Sequence, residues 1–154
     1  MTAIVAVCGN GGIGKDGALL FRIREDLRRF RQLTLGKTVV MGRKTLESLP
    51  GGRGLPDRRN LVLTRDPGFS APGAEVIRRL EDVPEDAVVI GGQSVYRQLL
   101  PQCDTVYVTK IFASPQADAF FPDLSRDSGW TEAERSEIYT SGGVRFQYVT
   151  YRRR

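Results

Sequence analysis

A carboxylate stands where a helical pattern calls for carbon. At about 100° per residue, residues 23–34 place Ile23, Leu27, Phe30, Leu33 and Thr34 on one stripe. Arg24, Arg28, Arg31 and Gln32 point away, and Glu25 and Arg29 complete the polar face. Asp26 falls inside the apolar stripe, flanked by Ile23, Leu27 and Phe30. Apolar surroundings disfavour the charged form of a carboxyl and raise its pKa, the tuning that proton-handling groups require. The competing reading is that Asp26 serves the positive field at the start of the helix. Periodicity alone leaves both readings open.

Other candidate chemistry sits where apolar runs end. Met41-Gly42-Arg43-Lys44-Thr45 puts two cations and a hydroxyl at a strand end that opens a short helix, and Leu63-Thr64-Arg65 repeats the arrangement. Ile90-Gly91-Gly92-Gln93-Ser94 makes a third such junction, where backbone without side chains can lie against a ligand. Three junctions on one carboxyl edge of a sheet describe a dinucleotide groove. Arg is present there and an acidic residue absent, which selects a 2′-phosphate over a free 2′-hydroxyl, hence NADP over NAD. Arg58-Arg59 can clamp a carboxylate or simply be solvated.

Residues 9–14, Gly-Asn-Gly-Gly-Ile-Gly, match G-x-G-x-x-G, and Gly9 to Lys15 matches G-x-x-x-x-G-K. Neither motif is expected to act in its usual form. Both need a helix to start at once, whereas Asp16-Gly17 follows, and Asp16 stands where a P-loop needs Ser or Thr. The segment reads as a long flexible glycine-rich loop, of the kind that often forms a lid.

The elements that must position these groups are legible as runs. Ala3–Cys8, Thr38–Met41, Asn60–Leu63, Ala74–Ile77, Ala87–Ile90 and Thr105–Ile111 read as strands. Helices are expected over 24–35, 43–48 and 93–100, and a hairpin over Thr131–Ile138 and Val144–Tyr151. The expected fold is α/β: a central, mostly parallel sheet flanked by helices on both faces, closed at one edge by a C-terminal antiparallel hairpin. It is expected to form one domain over 1–154.

Composition narrows the chemistry. The 154 residues carry 23 Lys+Arg, 18 Asp+Glu and no His, for a formal net charge of +5. Without His there is no His general base and no Ser-His or Cys-His nucleophile system. Two distant cysteines, Cys8 and Cys103, describe neither a zinc site nor a disulfide framework, so no metal is expected and a reducing, cytoplasmic setting is. The N-terminal apolar run is too short for a signal peptide, and no run is long enough to span a membrane. Basic clusters lack interleaved aromatics, which argues against nucleic acid as a partner.

The order of motifs resembles the dihydrofolate reductase family, in its small bacterial form, from about residue 3 onward. The resemblance rests on Ile13-Gly14-Lys15-Asp16-Gly17, on Glu25-Asp26-Leu27 with Phe30, and on Gly36 to Thr45 continued by Leu46-Glu47-Ser48-Leu49. It continues through Leu55-Pro56 with Arg58 and Asn60, Val89-Ile90-Gly91-Gly92 with Val95-Tyr96, Tyr107-Val108-Thr109, and Asp118 with Phe121-Pro122-Asp123. It implies NADPH-dependent reduction of 7,8-dihydrofolate to tetrahydrofolate, with Asp26 bonding the pterin and promoting protonation at N5.

The resemblance also implies a catalytic group of Asp26, Phe21, Thr109 and Tyr96. Ile4, Val5, Ala6, Leu27, Phe30, Leu49 and Ile90 would wall the substrate, with Leu55 nearby and with Arg58 and Arg31 toward its glutamate tail. For the cofactor it implies lid residues Ile13, Gly14, Lys15, Gly17, Ala18 and Leu19, together with Ala6. It further implies Gly42, Arg43, Lys44, Thr45, Leu63, Thr64, Arg65 and Arg78 toward the adenosine end. Ile90, Gly91, Gly92, Gln93, Ser94, Val95 and Tyr96 complete that set. Antifolate inhibitors would share the substrate site, and a monomer is implied. Leu20-Phe21 stands where the family commonly has Pro-Trp, and Arg24 where it has Pro. Competing readings are a reductase acting on another pterin or pyrimidine, and a basic module that binds a polyanion.

Overall fold

The computed structural model describes residues 1–154. In chain order the elements are β1 (Thr2–Cys8), β2 (Gly12–Lys15), β3 (Ala18–Leu19), α1 (Arg24–Thr34), β4 (Thr38–Gly42), α2 (Arg43–Ser48) and β5 (Arg59–Leu63). They continue as β6 (Glu75–Ile77), β7 (Val88–Gly91), α3 (Gln93–Leu99), β8 (Thr105–Ile111), β9 (Ala119–Phe120), β10 (Trp130–Ser141) and β11 (Val144–Arg153). Eight strands form one sheet in the order β10-β11-β8-β1-β7-β4-β5-β6. The six from β8 to β6 run parallel, while β11 runs antiparallel to both of its neighbours, β8 and β10. No helix is long and apolar enough to cross a membrane.

The continuous β-branched runs are buried on both faces, as central parallel strands must be. Val40, Leu61 and Val89 pack with Val95 and Leu99 of α3, while Val39, Met41 and Val62 pack with Leu46 of α2. Full burial of each such side chain contributes roughly 1.5–3 kcal/mol. Strand alternation decides which β1 residues meet which layer. Ala3 and Val5 join the α3 side, and Ile4 packs with the α2 side.

Helix α1 departs from this pattern. Only Thr34 of its eleven residues is buried, and Leu27 is 40% exposed. Its apolar stripe therefore overhangs a cleft instead of filling a core.

The glycine-rich loop is more ordered than its composition suggests. Strands β2 and β3 form a tight antiparallel hairpin, and β9 pairs with β2 to make a small three-stranded sheet. The turn is Asp16-Gly17, with φ of 52° and 79°. Positive φ at both central residues is what a tight I′ hairpin requires. Asn10 Nδ2 donates to the Pro115 carbonyl at 2.7 Å and Lys15 Nζ to Gln116 Oε1 at 2.7 Å. The Asp16 N–H donates to Asp118 Oδ2 at 2.9 Å. The expected long flexible loop is thus corrected to a pinned hairpin. The C-terminal hairpin also runs further than its pattern indicates, because two register shifts in β10 break the alternation.

Candidate active site

The cleft begins where two neighbouring strands part. β1 pairs with β7 only at Thr2–Val88 and Ala3–Val89, while its other side stays paired with β8 along its whole length. The chain leaves β1 toward β4 on one side and β7 toward β8 on the other, so this is the switch point at which open α/β sheets hold ligands. The parting frees the Ile4 carbonyl, and the Tyr96 hydroxyl donates to it at 2.6 Å. Tyr96 is buried, which raises its pKa and keeps the hydroxyl a neutral donor. Its ring meets Phe121 edge-on at 5.2 Å.

Asp26 lies in the first turn of α1 and faces β8, where Thr109 donates its hydroxyl to Asp26 Oδ1 at 2.5 Å. Both readings of Asp26 therefore describe its position. Burial raises its pKa, opposed by the Thr109 hydrogen bond and by the charge of Arg29. The Arg29 guanidinium stacks over Tyr148 at 4.1 Å and Tyr107 at 5.6 Å. The helical wheel places Arg29 on the polar face. Its long side chain instead reaches an aromatic pair beside the carboxylate, a placement that spacing cannot reveal.

Phe30, Leu49, Leu55 and Ile90 are half-buried, with Leu49, Leu55 and Ile90 against the α2-side core. Phe21 packs with Ala6 against Cys8, Ile23, Ile111 and Phe146 near the lid base. Arg58 is half-buried; burial and the nearby Arg31 charge lower its pKa, opposed by Asp57, and its Nε is buried with no hydrogen-bond partner. Two adjacent guanidiniums with a buried unmet donor are suited to a carboxylate.

The loop that carries Arg58 is held by Asn60, whose role the sequence reading did not assign. Its buried amide accepts from the Leu55 N–H at 2.9 Å and donates to the Leu55 and Arg58 carbonyls at 2.9 and 3.0 Å. A polar amide inside an otherwise apolar strand was the available signal.

At the other end of the cleft the Gly91–Gly92 peptide is cis and Gly91 has a φ of 124°. A Cβ on Gly91 would lie 3.4 Å from Tyr96 Cε2 and 3.5 Å from Thr45 Oγ1, and one on Gly92 3.5 Å from that same hydroxyl. This backbone cradle beside Thr45 fits a dinucleotide that must come close to the chain. Among the nearby cations, Arg43 is engaged by Asp66 at 2.7 Å and Glu47 at 3.4 Å. Lys44 and Arg65 are exposed at the ends of β4 and β5. Gln93 Oε1 accepts from the Phe120 N–H at 2.8 Å, tying α3 to the lid sheet.

Several residues of the implied set direct their side chains elsewhere than the cleft. Val5 points into the α3-side core, so its side chain does not wall the cleft beside Ile4 and Ala6. Val95 is buried beneath Gly42, which leaves only its backbone for a ligand. Ile13 also packs against the α3-side core. Arg78 donates to the Asp66 and Pro67 carbonyls at 2.9 and 3.2 Å, using its guanidinium to brace a loop. Ala18 and Leu19 are exposed on the lid, and Arg31 is exposed on α1.

A family model described as dihydrofolate reductase matches residues 1–153. The chain belongs to the dihydrofolate reductase family. It is 41% identical over 158 residues to the dihydrofolate reductase of Neisseria gonorrhoeae, covering 98% of this chain and 96% of that one. It is 43% identical over 142 residues to dihydrofolate reductase type 3 of Salmonella typhimurium, covering 88% and 86% of the two chains. A solved structure of dihydrofolate reductase from Enterococcus faecalis, complexed with NADP(H) and RAB-propyl, superposes with a TM-score of 0.88 at 35% identity. That match covers 99% of this chain and 95% of the other.

Proposed function

We infer that this chain catalyses NADPH-dependent reduction of 7,8-dihydrofolate to tetrahydrofolate in the cleft between β1, β7 and α1. The observation that carries the reading is Asp26, a carboxylate with raised pKa held by Thr109 beneath an unfilled apolar stripe. NADPH, when bound, supplies a hydride. The reaction adds that hydride to C6 of the substrate and a proton to N5, converting the N5=C6 double bond to a single bond.

In this reading the chain aligns the two ligands, raises the availability of one proton and excludes water. Asp26 bonds the pterin and promotes protonation at N5, and Thr109 fixes the direction of its carboxylate. Leu27, Phe30, Leu49 and Ile90 enclose the ring, while Arg58 beside Arg31 holds the tail carboxylate. Gly91 and Gly92 let backbone approach the cofactor, and Lys44, Thr45 and Arg65 receive its phosphates. The lid hairpin covers the reacting atoms, with Phe21 at its base supplying apolar cover.

Antifolates that mimic the pterin would engage the same carboxylate. The two cysteines, both free and buried, support a reducing cytoplasmic setting.

The test is NADPH oxidation followed by absorbance with dihydrofolate as acceptor. The wild type should turn over, and Asp26→Asn should lose about 10²-fold or more in kcat at neutral pH, the usual contribution of a positioned proton donor. Full activity in Asp26→Asn refutes the role given to this carboxylate. An inactive wild type refutes the reading as a whole.

A further inference from the structure

We propose that Arg29, clamped over two tyrosines one helical turn from Asp26, is a positioning residue whose fixed charge governs how that carboxyl takes up and releases its proton. The proposal rests on the reductase reading above and deepens its account of Asp26.

The clamp follows from register. Asp26 and Arg29 stand three residues apart on α1, a spacing that sets their side chains beside each other on the helix surface. Thr109, which donates to Asp26, pairs directly with Tyr148 across β8 and β11. Tyr107 lies two residues before Thr109 and so on the same face of β8. The two rings therefore flank the strand position that holds the carboxylate. The Arg29 guanidinium carbon lies 4.1 Å from the centre of the Tyr148 ring and 5.6 Å from that of Tyr107. A planar guanidinium stacks on aromatic faces as an ammonium cannot. Tyr148 is itself braced by Phe146 at 5.6 Å and Tyr139 at 5.8 Å, and its N–H donates to Ser136 Oγ at 2.9 Å.

This half-buried cation has no anion of its own, for Arg29 enters none of the ion pairs of the fold. The groups around Asp26 leave Arg29 as the one cation that bears on it. On α1, Glu25 is exposed and has Arg24 and Arg28 as its nearby cations. From β8 come Tyr107 and Thr109, since Lys110 alternates to the opposite face. From β11 and β10 come Tyr148 and Tyr139. Burial and the Asp26 charge raise the Tyr148 pKa, joined by Glu25 and Tyr139 and opposed by Arg29, so this phenol stays neutral. Ile4 and Ala6 of β1 bring no charge.

Burial makes the Asp26 carboxylate costly, and two groups favour it: Thr109 by contact and Arg29 through space. The stacked guanidinium thus lowers the pH at which Asp26 gives up its proton. It lowers with it the pH above which protonation at N5 fails.

The test follows the Asp26 carboxyl carbon by NMR through a pH titration of the free enzyme, and then turnover over the same range. Arg29→Met should raise the Asp26 midpoint by about 0.5–1 pH unit, the lower end for a close opposite charge because water reaches this one. Well above the midpoint the same variant should turn over about three- to tenfold faster than the wild type, which is that shift read as a rate. Arg29→Lys keeps the charge and should restore most of the wild-type midpoint. Tyr148→Leu removes the shelf, so it should raise the midpoint when Arg29 is present and leave it unmoved in a chain that already carries Arg29→Met. An unmoved or lowered midpoint in Arg29→Met, no recovery in Arg29→Lys, or equal Tyr148→Leu shifts in both backgrounds overturns the proposal. A midpoint that moves without the turnover profile upholds Arg29 as the tuning charge and refutes the catalytic role given to Asp26 instead.

Discussion

Replacing Arg58 by Met should move stability and substrate binding in opposite directions. In the ligand-free protein Arg58 Nε is buried with no partner, and an unmet buried donor costs about 1–3 kcal/mol. Burial and the Arg31 charge both disfavour the guanidinium, with Asp57 alone opposing them. Met keeps most of the aliphatic stem and removes the unmet donor, so the free protein should gain about 1 kcal/mol. For a chain of this size that raises Tm by roughly 2–4 °C.

Binding should suffer. A guanidinium–carboxylate fork makes two charge-assisted bonds of roughly 1.5–3 kcal/mol each, and a total of about 3 kcal/mol allows for their non-additivity. That corresponds to about 10²-fold in KM for dihydrofolate, with kcat nearly unchanged because the tail is remote from the reacting atoms. Thermal unfolding without ligand gives the first quantity and steady-state kinetics the second. A pterin substrate lacking the glutamate tail serves as the control and should show no KM change. Destabilised free protein, or an equal KM increase for the tail-less substrate, would refute the assignment of Arg58 to a tail carboxylate.

Asp26→Asn should change the pH dependence of stability. The folded carboxyl has a raised pKa, so the folded state holds its proton longer than the unfolded state, which releases it near pH 4. Wild-type stability therefore falls as pH rises from about 4 through the folded pKa, and the variant should escape that loss. Unfolding midpoints that coincide at pH 4 and diverge in favour of Asn by pH 7 are expected; parallel curves count against a desolvated Asp26. At Gly54, an added Cβ would sit 2.1 Å from the Gly73 carbonyl oxygen. Gly54→Ala should cost about 1–3 kcal/mol in urea unfolding and raise KM for dihydrofolate, because the loop it displaces leads into Leu55–Arg58. Unchanged stability would show that the two loop backbones part freely.

The parts of the fold that sequence revealed are those governed by local pattern. Val39-Val40-Met41 and Val88-Val89-Ile90 are uninterrupted apolar runs because both faces of the sheet are covered. Asp26 was visible because a 3.6-residue period makes one misplaced carboxylate conspicuous. What escaped depends on partners distant in sequence or on side-chain reach. The two residues of β9 pair with β2 from more than a hundred positions away, and no window around Ala119-Phe120 contains that fact. Asp16-Gly17 is a local signal for a hairpin turn, but the glycines before it obscured the strands it joins. Arg29 was placed correctly by angle and wrongly by reach. Val5 and Val95 sit within motif segments, yet strand or helix parity turns their side chains into the core.

Helix α1 leaves its apolar stripe open, with Leu27 two-fifths exposed above the cleft. A ligand seated there finishes a hydrophobic layer that the chain alone leaves incomplete. Occupancy thus acts as a late step of folding: a ligand at a hundred times its Kd adds about 2.7 kcal/mol to the folded state. Proteases that sample unfolded chains will remove the empty protein faster than the filled one. Ligand supply thereby governs how long each molecule survives as well as how fast it works.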